Sequence, residues 1–214
     1  MEVTLSFDNG PEPGVTSRVL DVLADRALRA TFFVVGRKLA RADGRRLAER
    51  ARTEGHWIGN HTFSHGTPFG EVGDADAVRR EIEQTQAVIG DLAHPDRLFR
   101  PVAGGGELGP HLLSPAAVDT LVAGRYTCVL WTTVPGDWED PEGWVDRALA
   151  DCRAREESLL VLHDVGGGAM DHLERFLDLA ERAGLRFRQE PPEACVPIRR
   201  GETVGQLDGL VSGS

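Results

Sequence analysis

Short apolar runs of β-strand type alternate with segments of helical periodicity along most of this chain. The strand-like runs are residues 2–7, ATFFVVG, HWIGNH, RLFR, YTCVLWT and SLLVLHD. The helical patterns cover residues 16–28, 37–54, 75–92, 114–124, 141–155 and 170–183. Regular strand and helix alternation predicts a parallel sheet with crossover helices, which is either an open doubly wound sheet or a barrel.

The chain length fits one layered domain. Its 214 residues are 41% hydrophobic, which suits one large globular domain with a full layered core, and no second domain is expected. The alternating pattern fades after Pro191, where the sequence ends in Gly and Ser. We therefore predict one domain over residues 1–190 and a C-terminal tail over residues 191–214.

Charge and hydropathy exclude several classes of partner. The formal net charge is −10 and the arginines are scattered, so the chain lacks the basic surface that nucleic acid binding needs. No apolar run reaches the roughly 18 residues that span a bilayer, so no membrane contact is expected. The N-terminus MEVTLSF lacks the basic and apolar regions of a secretory signal, and the three cysteines form no disulfide pattern. These features predict a cytoplasmic protein.

Unusual polar residues follow the predicted strands at their C-terminal ends. They are Asp8, Asn9, His61, His65, Arg100, Asp137, His163 and Asp164. In parallel α/β folds the loops at that edge of the sheet converge, and binding sites form there. Two triple-glycine runs, 104–106 and 166–168, lack the sequence context of a phosphate-binding loop, so we interpret them as tight or flexible loops.

The segment NHTFSH places two histidines four residues apart. On a helical turn His61 and His65 would project from one face and could bind the same ion. A third ligand, a carboxylate or an amide from another strand, would leave coordination positions open for water and substrate, as in catalytic zinc sites. The alternative is that both histidines only stabilise a loop by hydrogen bonds.

The last strand and its neighbours carry candidate acid and base groups. His163 ends a buried strand and could act as a general acid, although a core histidine with its hydrogen bonds satisfied is the simpler interpretation. Asp137 could hydrogen-bond this imidazole and raise its pKa, while Arg100 could hold Asp8 in its ionised form. Trp138 follows Asp137 on a predicted loop and is placed to contact a substrate.

Taken together, these residues resemble the polysaccharide deacetylases of the NodB-homology type, carbohydrate esterase family 4. SFDNG resembles the first family motif, TFDDG, and HTFSH matches the second, H[ST]xxH. RPVAG, TVPGDW and LVLHD are similar to the remaining three, RPPYG, DxxDW and LxLHD, in the family order. The resemblance implies a distorted, seven-stranded (β/α) barrel in a single α/β domain, which agrees with the alternation of strands and helices.

The resemblance also implies roles for the clustered residues. Asp8 would be the catalytic base and His163 the general acid, with Arg100 tethering Asp8 and Asp137 tuning His163. The implied metal ligands are Asn9, His61 and His65, and the ion would be zinc, with cobalt or nickel as alternatives. The backbone N–H of Ala103 would bind the oxyanion, and Trp138 would contact the substrate.

Three residues depart from the family pattern. Asn9 stands where the family has a metal-binding Asp, Ala103 replaces a Tyr, and Val134 occupies the first acidic position of the fourth motif. An amide ligand removes one negative charge, so metal affinity should fall while the bound ion becomes a stronger Lewis acid. Glu12 is near enough in sequence to supply a carboxylate ligand instead.

Three functions remain open from the sequence. The first is a metal-dependent hydrolase of non-peptide C–N bonds that deacetylates an N-acetylated carbohydrate or a related small amide. The second is a hydrolase of cyclic imides or ureides with the same fold. The third is an inactive carbohydrate-binding protein with a degraded metal site, which the amide of Asn9 favours and the retained Asp8, Arg100, Asp137 and His163 disfavour.

Overall fold

The computed structural model describes residues 1–213, and Ser214, the last residue of the expected tail, lies outside the described residues. The α-helices are α1 Val15–Asp25, α2 Gly36–Leu39, α3 Ala42–Thr53, α4 Ala75–Ile89, α5 Pro115–Ala123, α6 Trp144–Arg153 and α7 Leu173–Arg182. The strands are β1 Glu2–Asp8, β2 Thr31–Val34, β3 Trp57–Asn60, β4 Leu98–Phe99, β5 Thr127–Cys128, β6 Glu157–His163, β7 Arg186–Arg188, β8 Ile198–Arg199 and β9 Glu202–Thr203. Within residues 1–213 no helix combines the length and the hydropathy needed to cross a bilayer.

The strands form one strongly curled sheet. Six parallel strands follow the order β6-β1-β2-β3-β4-β5, and β7 adds a seventh, pairing in parallel with the N-terminal half of β1. After β5 the chain crosses to β6, where Thr133 bridges Leu160 and links the two ends of the parallel array. The two short strands β8 and β9 extend the sheet antiparallel beyond β5. The predicted seven-stranded, distorted barrel in one domain is confirmed.

Alternate residues of β1 face opposite sides of the sheet. Val3, Leu5 and Phe7 pack against helices in the larger hydrophobic cluster. Ser6 and Asp8 point inward, where both contact Arg100. This period-two pattern places the polar side chains inside the barrel and the apolar ones under the helices.

Two predicted elements differ from the structure. The segment predicted as one helix over residues 37–54 is broken at Arg41, whose backbone is extended. Gly44 allows α3 to pack closely on the Lys38 carbonyl oxygen, which a Cβ would overlap. The strand predicted over YTCVLWT is regular only at Thr127–Cys128. Beyond Val129, which still bonds to β4, the backbone bonds to Cys195 and then to β6 as the chain closes the barrel.

Residues 191–213, which form most of the predicted C-terminal tail, pack against the barrel. Gln189, just before them, donates its side-chain amide to the carbonyl oxygens of Ala30 and Gly55. Further on, β8 pairs with β5, and Leu113 exchanges backbone hydrogen bonds with Leu210 and Ser212. The segment therefore covers the sheet edge next to β5.

His56, which precedes β3, predicts a loss of stability in acid. Its buried Nδ1 accepts a hydrogen bond from the Ala30 N–H at 3.1 Å, and burial lowers its pKa from 6.5 to about 4. Between pH 6.5 and pH 4, His56 binds a proton in the unfolded chain but not in the folded chain. The free energy of unfolding therefore decreases as the pH falls from 6.5 to 4. We expect a loss of about 2–3 kcal/mol across this window from His56.

Urea denaturation at pH 7.5 and at pH 5 checks this prediction. His56→Asn keeps an acceptor for the Ala30 N–H but cannot titrate in this range, so its stability should depend less on pH than that of the wild type. An unchanged pH dependence in His56→Asn would contradict the assignment.

Candidate active site

A cavity of ≈ 250 Å³ opens at the C-terminal ends of the parallel strands. Its walls are Asp8, Asn9, His61, His65, Pro101, Ala103, Gly104, Gly105, Gly106, Trp131, Val134, Trp138, Val161 and His163. The register of the sheet sets Asp8 on β1 beside His163 on β6. The structure thus brings five of the predicted site residues and Ala103 to one cavity, together with Trp138 at its rim, while Arg100 and Asp137 do not line it.

Asp8 is held by a buried arginine. Arg100 Nη1 donates to Asp8 Oδ1 at 2.8 Å and to Ser6 Oγ at 2.7 Å. The guanidinium also donates to the carbonyl oxygens of Val129 and Leu130 and is fully buried. Burial alone would raise the pKa of Asp8, but the charge of Arg100, together with smaller contributions from His61, His163 and the Arg100 hydrogen bond, outweighs it, and the pKa lies below its usual range. Asp8 is therefore a carboxylate at neutral pH.

His163 is oriented by Asp137, which is also fully buried. Asp137 Oδ1 lies 2.8 Å from His163 Nδ1, and Oδ2 accepts the backbone N–H of His163 at 2.8 Å. Burial by itself would lower the pKa of His163, but the hydrogen bond and charge of Asp137, followed by the charge of Asp8, raise it. The imidazole therefore retains a proton at higher pH than a free histidine and presents Nε2 on the cavity side.

His61 and His65 lie in a loop, and the predicted helical turn is wrong. Thr62 and His65 have φ values of 64° and 51°. Side chains hold the loop instead of helical hydrogen bonds, since Asn60 Oδ1 accepts from the Thr62 N–H and Glu81 accepts two further N–H groups. The two imidazoles nevertheless meet, with ring centroids 4.9 Å apart.

The His61 ring is set for binding a cation. Its Nδ1 lies 2.9 Å from the carbonyl oxygen of Arg100, which can only accept, so Nδ1 carries the proton and Nε2 a free lone pair. Burial lowers the pKa of His61, and it lowers that of His65 to about 4, so both rings are neutral at pH 7. His61 Nε2 lies 3.6 Å from Asp8 Oδ2, which places the Asp8 carboxylate beside this lone pair.

Asn9 supplies an unsatisfied oxygen to the same cavity. Its Oδ1 is buried and, within residues 1–213, has no hydrogen-bond partner. An orphaned buried acceptor costs about 1–3 kcal/mol unless something binds it. No three His, Cys, Asp or Glu side chains of the described residues are grouped to hold a metal, so a site here depends on this amide. Two neutral imidazoles and one free amide oxygen fit a divalent cation.

The opposite wall of the cavity is a glycine loop. Trp131 Nε1 donates to the Gly106 carbonyl oxygen at 2.7 Å, and a Cβ on Gly106 would lie 2.9 Å from a methyl of Val134. Val134, which replaces the first acid of the fourth motif, therefore packs on the backbone of this loop. Ala103 precedes the glycines and leaves the wall open, since its methyl group fills little of the space.

Glu12 does not line the cavity, so its predicted alternative role as a metal ligand is wrong. Its Oε2 lies 3.0 Å from Lys38 Nζ, and its Oε1 accepts the backbone N–H of Gly166 at 3.0 Å. Glu12 thus anchors the second glycine run. Trp138, in contrast, is 42% exposed. Its ring meets that of His163 edge to face, with the two ring centroids 4.8 Å apart, and much of the indole surface stays free at the rim.

No sequence pattern indicates a role for Ser6 or for Asp164. Ser6 lies two residues before Asp8 on β1, and strand alternation alone would have placed both on the inner face. Asp164 is 1% exposed, and burial raises its pKa to about 7 despite the hydrogen bond it accepts from Thr16. No sequence pattern indicates that partner, which lies 148 residues away.

Comparison with known proteins agrees with this geometry. Residues 1–108 match the family described as polysaccharide deacetylase. The chain is 35% identical to a chitooligosaccharide deacetylase of Rhizobium leguminosarum bv. trifolii, over 76% of this chain and 71% of that protein. It is 28% identical to a peptidoglycan-N-acetylglucosamine deacetylase of Bacillus cereus, over 86% and 84%. A family 4 acetyl xylan esterase from Clostridium thermocellum, solved with a cobalt ion, superposes with a TM-score of 0.71 at 27% identity, covering 88% of this chain and 87% of that one.

Proposed function

This chain belongs to the polysaccharide deacetylase family, and we propose that it is a divalent-metal-dependent hydrolase that removes the acetyl group from an N-acetylated carbohydrate. The observation that carries the proposal is the pairing of a carboxylate and an imidazole in adjacent strands. Asp8 and His163 occupy the same register position on β1 and β6, and each has its own buried partner behind the cavity. Such a pair can accept and donate a proton on the two sides of one bond.

Asn9, His61 and His65 are the residues that would hold the metal, with zinc as the first choice and cobalt or nickel as alternatives. A divalent ion bound there would polarise the acyl carbonyl and lower the pKa of a bound water. The three ligands supply no negative charge, so the retained positive charge of the ion favours binding of neutral or anionic oxygen.

Asp8 acts as the general base. Its ionised carboxylate accepts a proton from the water as the water oxygen attacks the acyl carbon. Arg100 prevents its premature protonation by holding one carboxylate oxygen, and Oδ2, which Arg100 does not contact, remains free on the side of His61. This free oxygen is the atom that takes the proton.

His163 acts as the general acid. Its Nδ1–H is directed to Asp137, so Nε2 carries the second proton of the imidazolium toward the cavity. As the C–N bond breaks, this proton passes to the departing nitrogen, and the products are acetate and a free amine. The Ala103 N–H, which donates no hydrogen bond within residues 1–213, would stabilise the oxyanion that forms on the acyl oxygen.

The cavity is suited to a neutral sugar. Its rim carries the exposed indole of Trp138, whose face can stack on the apolar face of a pyranose ring. Among residues 1–213 no arginine or lysine lines the cavity, so no basic side chain there besides His163 selects for an anionic substrate.

Acetate release from N-acetylglucosamine oligomers tests the function. We expect activity that depends on a divalent metal and disappears with a chelator. Ring opening of succinimide and allantoin, assayed beside it, tests the cyclic imide and ureide alternative. Metal-dependent activity on the cyclic compounds alone would overturn the deacetylase assignment, and activity on neither class would favour the inactive carbohydrate-binding protein.

Asn9→Asp tests how the amide affects the ion. The added negative charge should strengthen zinc binding by at least about tenfold, because ligand charge dominates the affinity of such sites. Isothermal titration of the metal-free proteins with zinc measures the change. Asn9→Ala, which removes the oxygen, should weaken binding and serves as the opposite control; equal affinities for all three proteins would exclude Asn9 as a ligand.

A further inference from the structure

Asn9 has a backbone conformation that an asparagine residue does not adopt by preference. Its φ is 73°, in the left-handed region, and its amide oxygen makes no hydrogen bond within the described residues. Asn tolerates this region better than most residues, but the conformation still costs free energy relative to an extended one. A metal ligand held this way needs support from outside the loop.

One residue, Asp164, contacts the backbone on both sides of Asn9. The N–H of Asp164 donates to the carbonyl oxygen of Asp8 at 3.3 Å. Its Oδ1 accepts the N–H of Gly10 at 3.0 Å. The peptide groups before and after Asn9 are therefore tied to the same point, at the end of the strand that carries His163.

The carboxyl group of Asp164 is itself fixed. The hydroxyl of Thr16 donates to Oδ2 at 2.5 Å and accepts the N–H of Glu12 at 2.7 Å. The carboxyl also packs so closely on Gly10 that a Cβ at that position would overlap it. Asp164 is buried and does not line the cavity, so it cannot touch a substrate there.

We propose that Asp164 is a positioning residue, which clamps the peptides on both sides of Asn9 and so keeps the amide oxygen of Asn9 facing the metal site. The metal part of this inference rests on the proposed function, while the clamp itself does not. The clamp also joins the loop of a metal ligand to the strand end of the general acid, because Asp164 follows His163 directly.

Hydrogen exchange of the metal-free protein tests the clamp alone. In Asp164→Ala the Gly10 amide loses its acceptor, and we expect it to exchange at least about tenfold faster. Ser158→Ala, a buried change at the other end of β6, is the matched control and should leave Gly10 protected. Unchanged exchange of Gly10 in Asp164→Ala would overturn the proposal, whether or not the protein binds metal.

Metal binding tests what the clamp does. Asp164→Ala should weaken zinc binding by about 10–100-fold, as loss of a group that orients a ligand typically does, and should change the visible spectrum of the cobalt-loaded protein. Asp164→Asn keeps an acceptor for the Gly10 N–H and should recover most of the affinity. A general loss of stability would not be rescued in this way.

A double-mutant cycle assigns the effect to Asn9. In an Asn9→Ala background, Asp164→Ala should cause little further loss of zinc affinity, because the oxygen that it positions is absent. Full additivity of the two changes would overturn the role of Asp164 in positioning Asn9. A wild type that binds no divalent metal would instead refute the proposed function, with the exchange experiment still deciding the clamp.

Discussion

Asp8→Asn should lower kcat by about 10²–10⁴, the range that general-base catalysis contributes. The amide keeps the shape of the side chain but has no lone pair basic enough to take a proton from water at neutral pH. Because Asp8 is not in the ligand set, the variant should still bind metal. Steady-state kinetics on N-acetylglucosamine oligomers, with metal content measured on the same preparation, provides the test.

Asp178→Asn is the matched control for this change. Asp178 also pairs with an arginine, Arg26, at 2.7 Å, but it lies half-exposed on α7 away from the cavity. Its replacement should leave kcat unchanged. If Asp8→Asn retained more than about a tenth of the wild-type rate while loaded with metal, Asp8 could not be the base.

Arg100→Met should lower the free energy of unfolding by about 3–5 kcal/mol, the usual cost of breaking a buried ion pair from one side. The guanidinium is fully buried and holds Asp8, Ser6 and two carbonyl oxygens, so its loss leaves a buried carboxylate without a counter-charge. Urea denaturation at pH 7 measures the change.

Two variants show whether the loss comes from the unpaired charge. Arg26→Met breaks a partly exposed pair of similar length and should cost less than about 1 kcal/mol. The double variant Asp8→Asn, Arg100→Met removes both buried charges and should be more stable than Arg100→Met alone. A double variant that is less stable than either single variant would contradict this account.

The sheet could be predicted because local patterns specify it. The alternating residues of β1 and the apolar run of β6 are strand patterns of the ordinary kind, and the period of α4 is clear over its 15 residues. β5 was predicted too long because its later residues bond to partners far apart in sequence. The break before α3 depends on a close contact between Gly44 and Lys38, which a helical pattern does not reveal.

The sequence predicts which residues form the site better than it predicts how those residues are arranged. Polar residues after parallel strands must converge, so Asp8, His61 and His163 were found from their positions alone. The spacing of His61 and His65 predicts a helical turn, but the two rings are brought together by a loop with two positive φ values. Ser6 and Asp164 act through hydrogen bonds to residues distant in the chain, which no local pattern encodes.

Substitutions on the two faces of β1 have different consequences. Substitutions at Val3, Leu5 or Phe7 alter how the helices pack, and those at Ser6 or Asp8 alter the chemistry, so a protein engineer can vary one set while leaving the other intact. Deleting a single residue from β1 gives no such choice, because it exchanges the two faces at once. Among functional variants of this protein, the length of β1 should therefore vary far less than its amino-acid composition.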